Sequence, residues 1–140
     1  YFEKLNTTVR FSEANRIESG RIVELLNRVN KRTIGSRFTC IDLDNVFEKH
    51  KFRHFTVSVS DMFSDLGIVG YICLYEDILI SFALSCRAMG RGIERNMIDY
   101  AKTEGARRFV FIRTGKNDEL FKQIEESGLT YVGDSCDFCF

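Results

Sequence analysis

From Gly67 to Cys86 the chain carries GIVGYICLYEDILISFALSC, two runs rich in β-forming residues joined at Glu76-Asp77. Two such runs with so short an acidic connection specify an antiparallel hairpin, and the rest of the chain has to be arranged around it. On its N-terminal side, KLNTTVRF alternates Leu5, Thr7, Val9 and Phe11 at period two, and Ile22, Leu25, Leu26 and Val29 then recur at helical spacing. A second helix is predicted over Asp42 to His50, followed by a strand in FTVSVSDMF. On the C-terminal side, Gly90 to Gly105 reads as a helix with Ile93, Met97, Ile98 and Ala101 on one face and Gly105 as its stop. RRFVFIR is a strand, Asp118 to Ser127 a helix capped by Asn117 or Asp118 and ended by Gly128, and LTYVG and CDFCF supply closing strands. The order βααβββαβαββ is that of a mixed α/β domain.

The chain has 140 residues, 44% of them hydrophobic and 13% aromatic, enough for one core, and no repeat, low-complexity tract or proline interrupts it. A single domain over residues 1–140 is expected. Twenty basic residues balance twenty acidic ones, so the bulk charge points to neither nucleic acid nor an anionic membrane. Five cysteines, an odd number, and the lack of a signal-like or membrane-length apolar segment lead to the expectation of a cytoplasmic protein. The first residue is Tyr1, which leads us to expect a piece of a longer protein.

Chemistry concentrates in LSCRAMGRGIE, Leu84 to Glu94, where the second apolar run meets the helical pattern. A strand ending at Cys86, a turn with Gly90 and Gly92 and a helix beginning there would aim free backbone N–H groups and a helix dipole at one point. Such a point suits an anion, with the glycines admitting a phosphate closely and Arg87 and Arg91 adding charge. A plain structural turn has the same spacing.

Arg87-Ala88-Met89-Gly90-Arg91-Gly92 resembles the R/Q-x-x-G-x-G/A pyrophosphate loop of the GNAT acyltransferase superfamily, and it stands between the fourth strand and the third helix, as in that family. SCRAMGRGIE together with DLGIVG (65–70), LLNRVNKRTIGSRF (25–38) and TGKN (114–117) is, more narrowly, similar to the C-terminal domain of FkbH-like proteins. That resemblance spans most of the chain and implies a GNAT-like, largely antiparallel central sheet flanked by helices. It also implies binding of coenzyme A, acetyl-coenzyme A or the phosphopantetheine of an acyl carrier protein, a haloacid-dehalogenase-type phosphatase domain as neighbour, and transfer of an acyl group such as a glyceryl unit to a thiol. By the same resemblance Arg87, Gly90, Arg91 and Gly92 form the pyrophosphate loop, and Ala88 and Met89 offer backbone N–H groups. Leu84, Ser85 and Cys86 would lie along the pantetheine, while Lys116 reaches an anion and Asn117 contributes beside it. A helix cap is the plainer role for Asn117.

The catalytic groups of amine acetylation are missing from their places. The tyrosine that many GNAT enzymes carry four residues before the glycine ending the fourth helix is Ile124 here, and Ile78 to Cys86 contains no carboxylate to serve as a base. Cys86 is the candidate catalytic residue: a helix N-terminus and two arginines nearby would favour its thiolate as an acyl-accepting nucleophile. The plainer expectation is a small buried strand residue. Asp61 and Asp65 are candidate polar partners, with turn formation the simpler role. The expected readings are thus an acyltransferase-like domain, a non-catalytic docking module of the same fold, or an amine N-acetyltransferase.

Three further motifs carry less. CIDLDNV (40–46) imitates the D-x-D nucleophile of phosphatases without the surrounding domain that motif requires. CDFC (136–139) has metal or redox spacing, but His50, His54 and Cys40 lack the paired spacing for zinc, and no metal is expected. The basic run RVNKR with Arg37 would suit an acidic carrier protein, or simply a solvated helix face.

Overall fold

The computed structural model describes residues 7–88, 90 and 92–134. In chain order the elements are β1 (Thr8–Glu13), a 3-10 turn (Arg16–Glu18), α1 (Ser19–Arg28), α2 (Cys40–Glu48), β2 (Phe52–Ser60), β3 (Asp65–Tyr75) and β4 (Ile78–Leu84). A second 3-10 turn (Cys86–Ala88) leads to α3 (Ile93–Thr103), β5 (Arg108–Phe109), α4 (Asp118–Glu126) and β6 (Thr130–Tyr131). CDFCF lies outside the described residues.

The strands form one six-stranded sheet in the order β1-β2-β3-β4-β5-β6. The first three pairings are antiparallel, and the last two, each made by a helical crossover, are parallel. The hairpin expected at Glu76-Asp77 is β3–β4, and Arg108 on the neighbouring strand bonds the Asp77 carboxylate at 2.6 and 3.2 Å, holding that carboxyl below its ordinary range.

Strand alternation assigns the layers. On β2, His54 meets Phe47 of α2 while the next residue, Phe55, meets Tyr100 of α3. Successive strand side chains point to opposite faces, so α2 and α3 cover opposite sides of the sheet. α1 packs beside α2, and α4 lies alongside α3, Lys102 donating to the Ser127 carbonyl. Every residue of β4 is therefore enclosed, none more than 4% exposed, and each large apolar side chain so buried contributes roughly 1.5–3 kcal/mol. A register shift at Cys73/Leu74 leaves Ile80 as an extra residue and bends β4 partway along.

Two elements differ from their sequence patterns for local reasons. α2 starts at Cys40 rather than Asp42 because Thr39 and Asp42 form a reciprocal capping box, each side chain accepting the other's N–H at 3.1 and 3.0 Å. The first aspartate of CIDLDNV is thus a helix cap, and the second, Asp44, pairs with Arg16. RRFVFIR keeps regular pairing only at Arg108–Phe109, because beyond Val110 its neighbour is no longer β4.

Candidate functional site

β4 ends at Leu84, where the chain leaves the sheet through a compact turn. Ser85 N–H donates to the Val69 carbonyl at 2.7 Å, and the Ser85 side chain and carbonyl accept from Arg87 N–H (3.3 Å) and Ala88 N–H (3.0 Å). This turn exposes Cys86 and Arg87 and buries Ala88 completely. Arg87 reaches back to the Leu66 carbonyl at 3.3 Å, and among the described residues no carboxylate pairs with it. Gly90 and Gly92 then take φ of 82° and 72°, and a Cβ on either would meet nothing within 4 Å. The left-handed region is open to glycine without steric cost, so the chain can turn here and leave clear space over α3. Gly92 is the N-cap of α3 and brings no side-chain cap, so the first-turn amides of the helix face outward with the positive end of its dipole.

On the α1 side of this turn lies a groove of about 430 Å³ lined by Arg21, Leu25, Arg28, Val29, Cys86 and Arg87, among others. Arg21 is fixed by two bonds to the Ile68 carbonyl, at 3.2 and 3.0 Å, and shares one oxygen of Glu24 with Arg28. The groove lining thus carries three guanidinium groups and one carboxylate.

The far edge of β4 is closed by the chain itself. The connection between α1 and α2 forms a bridge, Thr33 opposite Ala83, in which Leu84 N–H donates to Arg32 carbonyl (2.8 Å) and Ile34 N–H to Phe82 carbonyl (3.1 Å). Ser36 hydroxyl donates to the Ile80 carbonyl at 2.5 Å. On its other side, Ile34 carbonyl accepts from Ile112 N–H at 2.7 Å, so residues 32–36 run in the sheet as a strap between β4 and the continuation of β5. Gly35, at φ 91°, is needed there: a Cβ would stand 2.3 Å from the Ile112 carbonyl oxygen. Asn117 bolts the strap from beneath, fully buried, donating to Thr33 and Ile112 carbonyls (both 2.9 Å) and accepting from Thr114 N–H (3.0 Å). Arg32 projects toward α3 and α4, its Nε 3.7 Å from Glu94 Oε1 and its Nη2 3.8 Å from Glu119, and its Nε and the Glu94 Oε2 are buried without a hydrogen-bond partner among the described residues.

No family model matches the sequence, and no curated protein matches it. Solved structures do. A transcriptional regulator from Bacillus halodurans C-125 aligns over 88% of this chain and 93% of its own, at 14% identity and a TM-score of 0.61. The ribosomal-protein-S18-alanine N-acetyltransferase of Escherichia coli aligns over 86% and 77%, at 11% identity and 0.59. A spermidine N-acetyltransferase from Vibrio cholerae in complex with CoA and spermine aligns over 86% and 79%, at 16% and 0.52. The chain has the GNAT fold.

Within that GNAT fold the expected loop residues fall into three groups. Gly90, Gly92, Arg87 and the exposed Lys116 border open space. Leu84 and Ala88 are committed: both side chains are fully buried, the Leu84 amide is held by Arg32 and the Ala88 amide by Ser85. Met89 and Arg91 lie outside the described residues. Asn117 does occupy the N-cap position of α4, but its side chain makes no capping bond and works as the bolt described above, correcting the simpler expectation. Cys86 is an exposed turn residue lining the groove rather than a buried strand residue. Asp61 and Asp65 build turns, accepting from Phe63, Ser64 and Gly67 amides. The basic run is divided: Arg28 and Lys31 are exposed and Arg32 is enclosed, while Arg37 donates to Leu26 and Val29 carbonyls and closes the C-terminal end of α1. Ile124, where an acid would be expected, is fully buried.

Sequence reasoning missed the strap and the α1 wall of the groove. The one local signal for the strap was Gly35 within TIGSR, a glycine whose requirement becomes visible only when Ile112, far along the chain, is set against it. His54 has, on spacing alone, no role beyond that of a metal ligand without a paired partner. It shares a 2.7 Å hydrogen bond with Tyr71, and burial pulls its imidazole down to about 4 while raising Tyr71 and Cys73. Among the described residues no group of three or more His, Cys, Asp or Glu is placed to hold a metal, and no helix is long and apolar enough to cross a membrane.

Proposed function

We propose that this chain is a GNAT-fold acyltransferase-like domain that binds the phosphate-bearing part of coenzyme A or of a carrier protein's phosphopantetheine at residues 87–92. The observation that supports it is the open β4–α3 turn. Two glycines at positive φ, a helix start with no side-chain cap, and an exposed Arg87 that meets no carboxylate among the described residues offer donors and charge at this turn. The phosphate end fits these residues. An arm lying along Leu84 does not, because one edge of β4 pairs with β3 and the other is held by the strap. In its acylated form the group would supply an activated thioester, whose C–S bond breaks to release the ligand's thiol as the acyl group moves. On this side Cys86, exposed beside the loop, is the residue placed to accept an acyl group, a role that asks less of a general base than an amine acceptor would. The narrower reading, glyceryl loading in an FkbH-like protein whose neighbours are a phosphatase domain and a carrier protein, draws support from the sequence resemblance.

The test is a calorimetric titration of coenzyme A and acetyl-coenzyme A into the protein and into Gly90→Glu, with Gly90→Ala carrying the same backbone strain without the charge. Saturable binding that Glu abolishes and Ala preserves supports the loop. Equal binding by all three proteins refutes it. With binding in hand, Cys86→Ala should abolish transfer to a thiol acceptor and leave affinity unchanged. A docking module of the same fold is the second reading, favoured by the closed β4 edge and by Ile124; such a module binds but shows no turnover.

A further inference from the structure

Resting on the phosphate-loop reading above, we infer that the groove between α1 and the β4–α3 turn, and not the edge of β4, receives the arm of a coenzyme A-type ligand. The strap decides against the edge. An arm entering there would have to remove Arg32, Ile34 and Ser36 from Leu84, Phe82 and Ile80, and could at best restore the bonds to β4 that it broke. It would also strip the Ile112 and Asn117 donors of their acceptors on Ile34 and Thr33, and expose Ile34 and Thr33, both fully buried. The exchange returns fewer contacts than it removes, so the strap keeps its place.

The groove offers what the edge lacks. It is continuous with the loop through Ser85, Cys86 and Arg87, and its volume of about 430 Å³ is in the range of small-molecule sites. Leu25 and Val29 give it an apolar floor for a methylated, amide-containing arm. Arg21, Arg28 and Arg87 outnumber Glu24 and select for a ligand that carries phosphate at the loop end. Cys86 lines the same groove, so an arm laid there runs past the exposed sulfur.

The experiment uses the whole chain, coenzyme A and its nucleotide portion, 3′-phosphoadenosine 5′-diphosphate. Amide hydrogen exchange at Ile34, Leu84 and Ile112 is followed free and saturated, and affinities are measured for Arg28→Glu and Arg28→Lys. Arg28 is 76% exposed at its side chain, and its ion pair among the described residues is with Glu24 on the same helix, so both variants keep the fold. We expect the three amides to stay protected when coenzyme A binds, and Arg28→Glu to weaken coenzyme A at least ten-fold, with Lys restoring most of it. Faster exchange at those amides on binding, or unchanged affinity in Arg28→Glu, overturns the groove while leaving the loop intact. Failure of both coenzyme A and the nucleotide to bind overturns the loop reading itself and the groove assignment with it.

Discussion

Asn117→Ala removes the bolt under the strap, and the structure sets its magnitude. Three hydrogen bonds vanish, leaving the Thr33 and Ile112 carbonyls and the Thr114 N–H in an interior where Asn117 itself is fully buried. Each lost bond costs about 0.5–1.5 kcal/mol, and a buried group left unpaired costs about 1–3 kcal/mol. Ile34 still ties the strap to Phe82 and Ile112, so some of the loss is recovered by relaxation, and a net destabilisation of about 3–4 kcal/mol is expected. For 140 residues, an unfolding entropy of about 2.1 cal/mol/K per residue turns this into a fall in Tm of roughly 10–14 °C. Asn117→Asp should be at least as damaging at neutral pH, since a carboxylate can still accept from Thr114 but sets negative oxygen against two carbonyls; acidification should relieve part of that defect, because a protonated carboxyl can donate once. Urea unfolding by far-UV circular dichroism measures both variants, with amide exchange at Ile112 reporting on the strap. A loss below about 1 kcal/mol for Asn117→Ala would refute the reasoning, since it would mean that water reaches these groups readily.

His54 gives a pH signature. Its folded value of about 4 lies below the ordinary 6.5, so the unfolded chain takes up the proton first, and stability is full above about 6.5 and falls as pH drops toward 4. The gap caps the loss at about 3 kcal/mol by linkage; urea midpoints between pH 7 and pH 4.5 should fall for the parent protein and stay flatter for His54→Gln, and parallel curves would exclude His54 as the source. Two glycine substitutions should move Tm in opposite directions. Gly35→Ala, strained at positive φ and driven into the Ile112 carbonyl, should lose about 2–4 kcal/mol, whereas Gly20→Ala, in α1 with nothing within 4 Å, should gain about 0.5 kcal/mol. A stable Gly35→Ala protein would mean that the strap lies looser against Ile112 than described.

The legible parts of the fold were those whose signal is local. Ile22, Leu25 and Leu26 at helical spacing, the two apolar runs about Glu76-Asp77 and the glycines ending α3 and α4 each specify their element without help from distant residues. The loop of the candidate site was legible for the same reason, since Arg87, Gly90 and Gly92 are consecutive with the strand and helix that position them. Residues 30–36 contain no periodicity at all. Their place is fixed by Phe82, Leu84, Ile112 and Asn117, partners nearly fifty to more than eighty residues away in sequence, and no short window can report such pairing. The same remoteness hid the role of Asn117, whose cap-like position is real while its bonds run to Thr33 and Ile112.

The strap also changes what the GNAT fold can be used for in this chain. Where β4 and the continuation of β5 part, the backbone groups on the facing edges would be free to hold an extended ligand; here they hold Arg32 to Ser36. With that gap filled, the facing backbone groups of β4 and the continuation of β5 are paired and the strap residues Thr33 and Ile34 are buried between them. Under the proposed function, the acyl acceptor would be a surface nucleophile beside residues 87–92. Cys86 meets those conditions, being exposed, beside Arg87 and on the wall of the basic groove. The closed edge and the exposed cysteine are separate features of the structure, and both agree with the proposed thiol-based transfer rather than with amine acetylation.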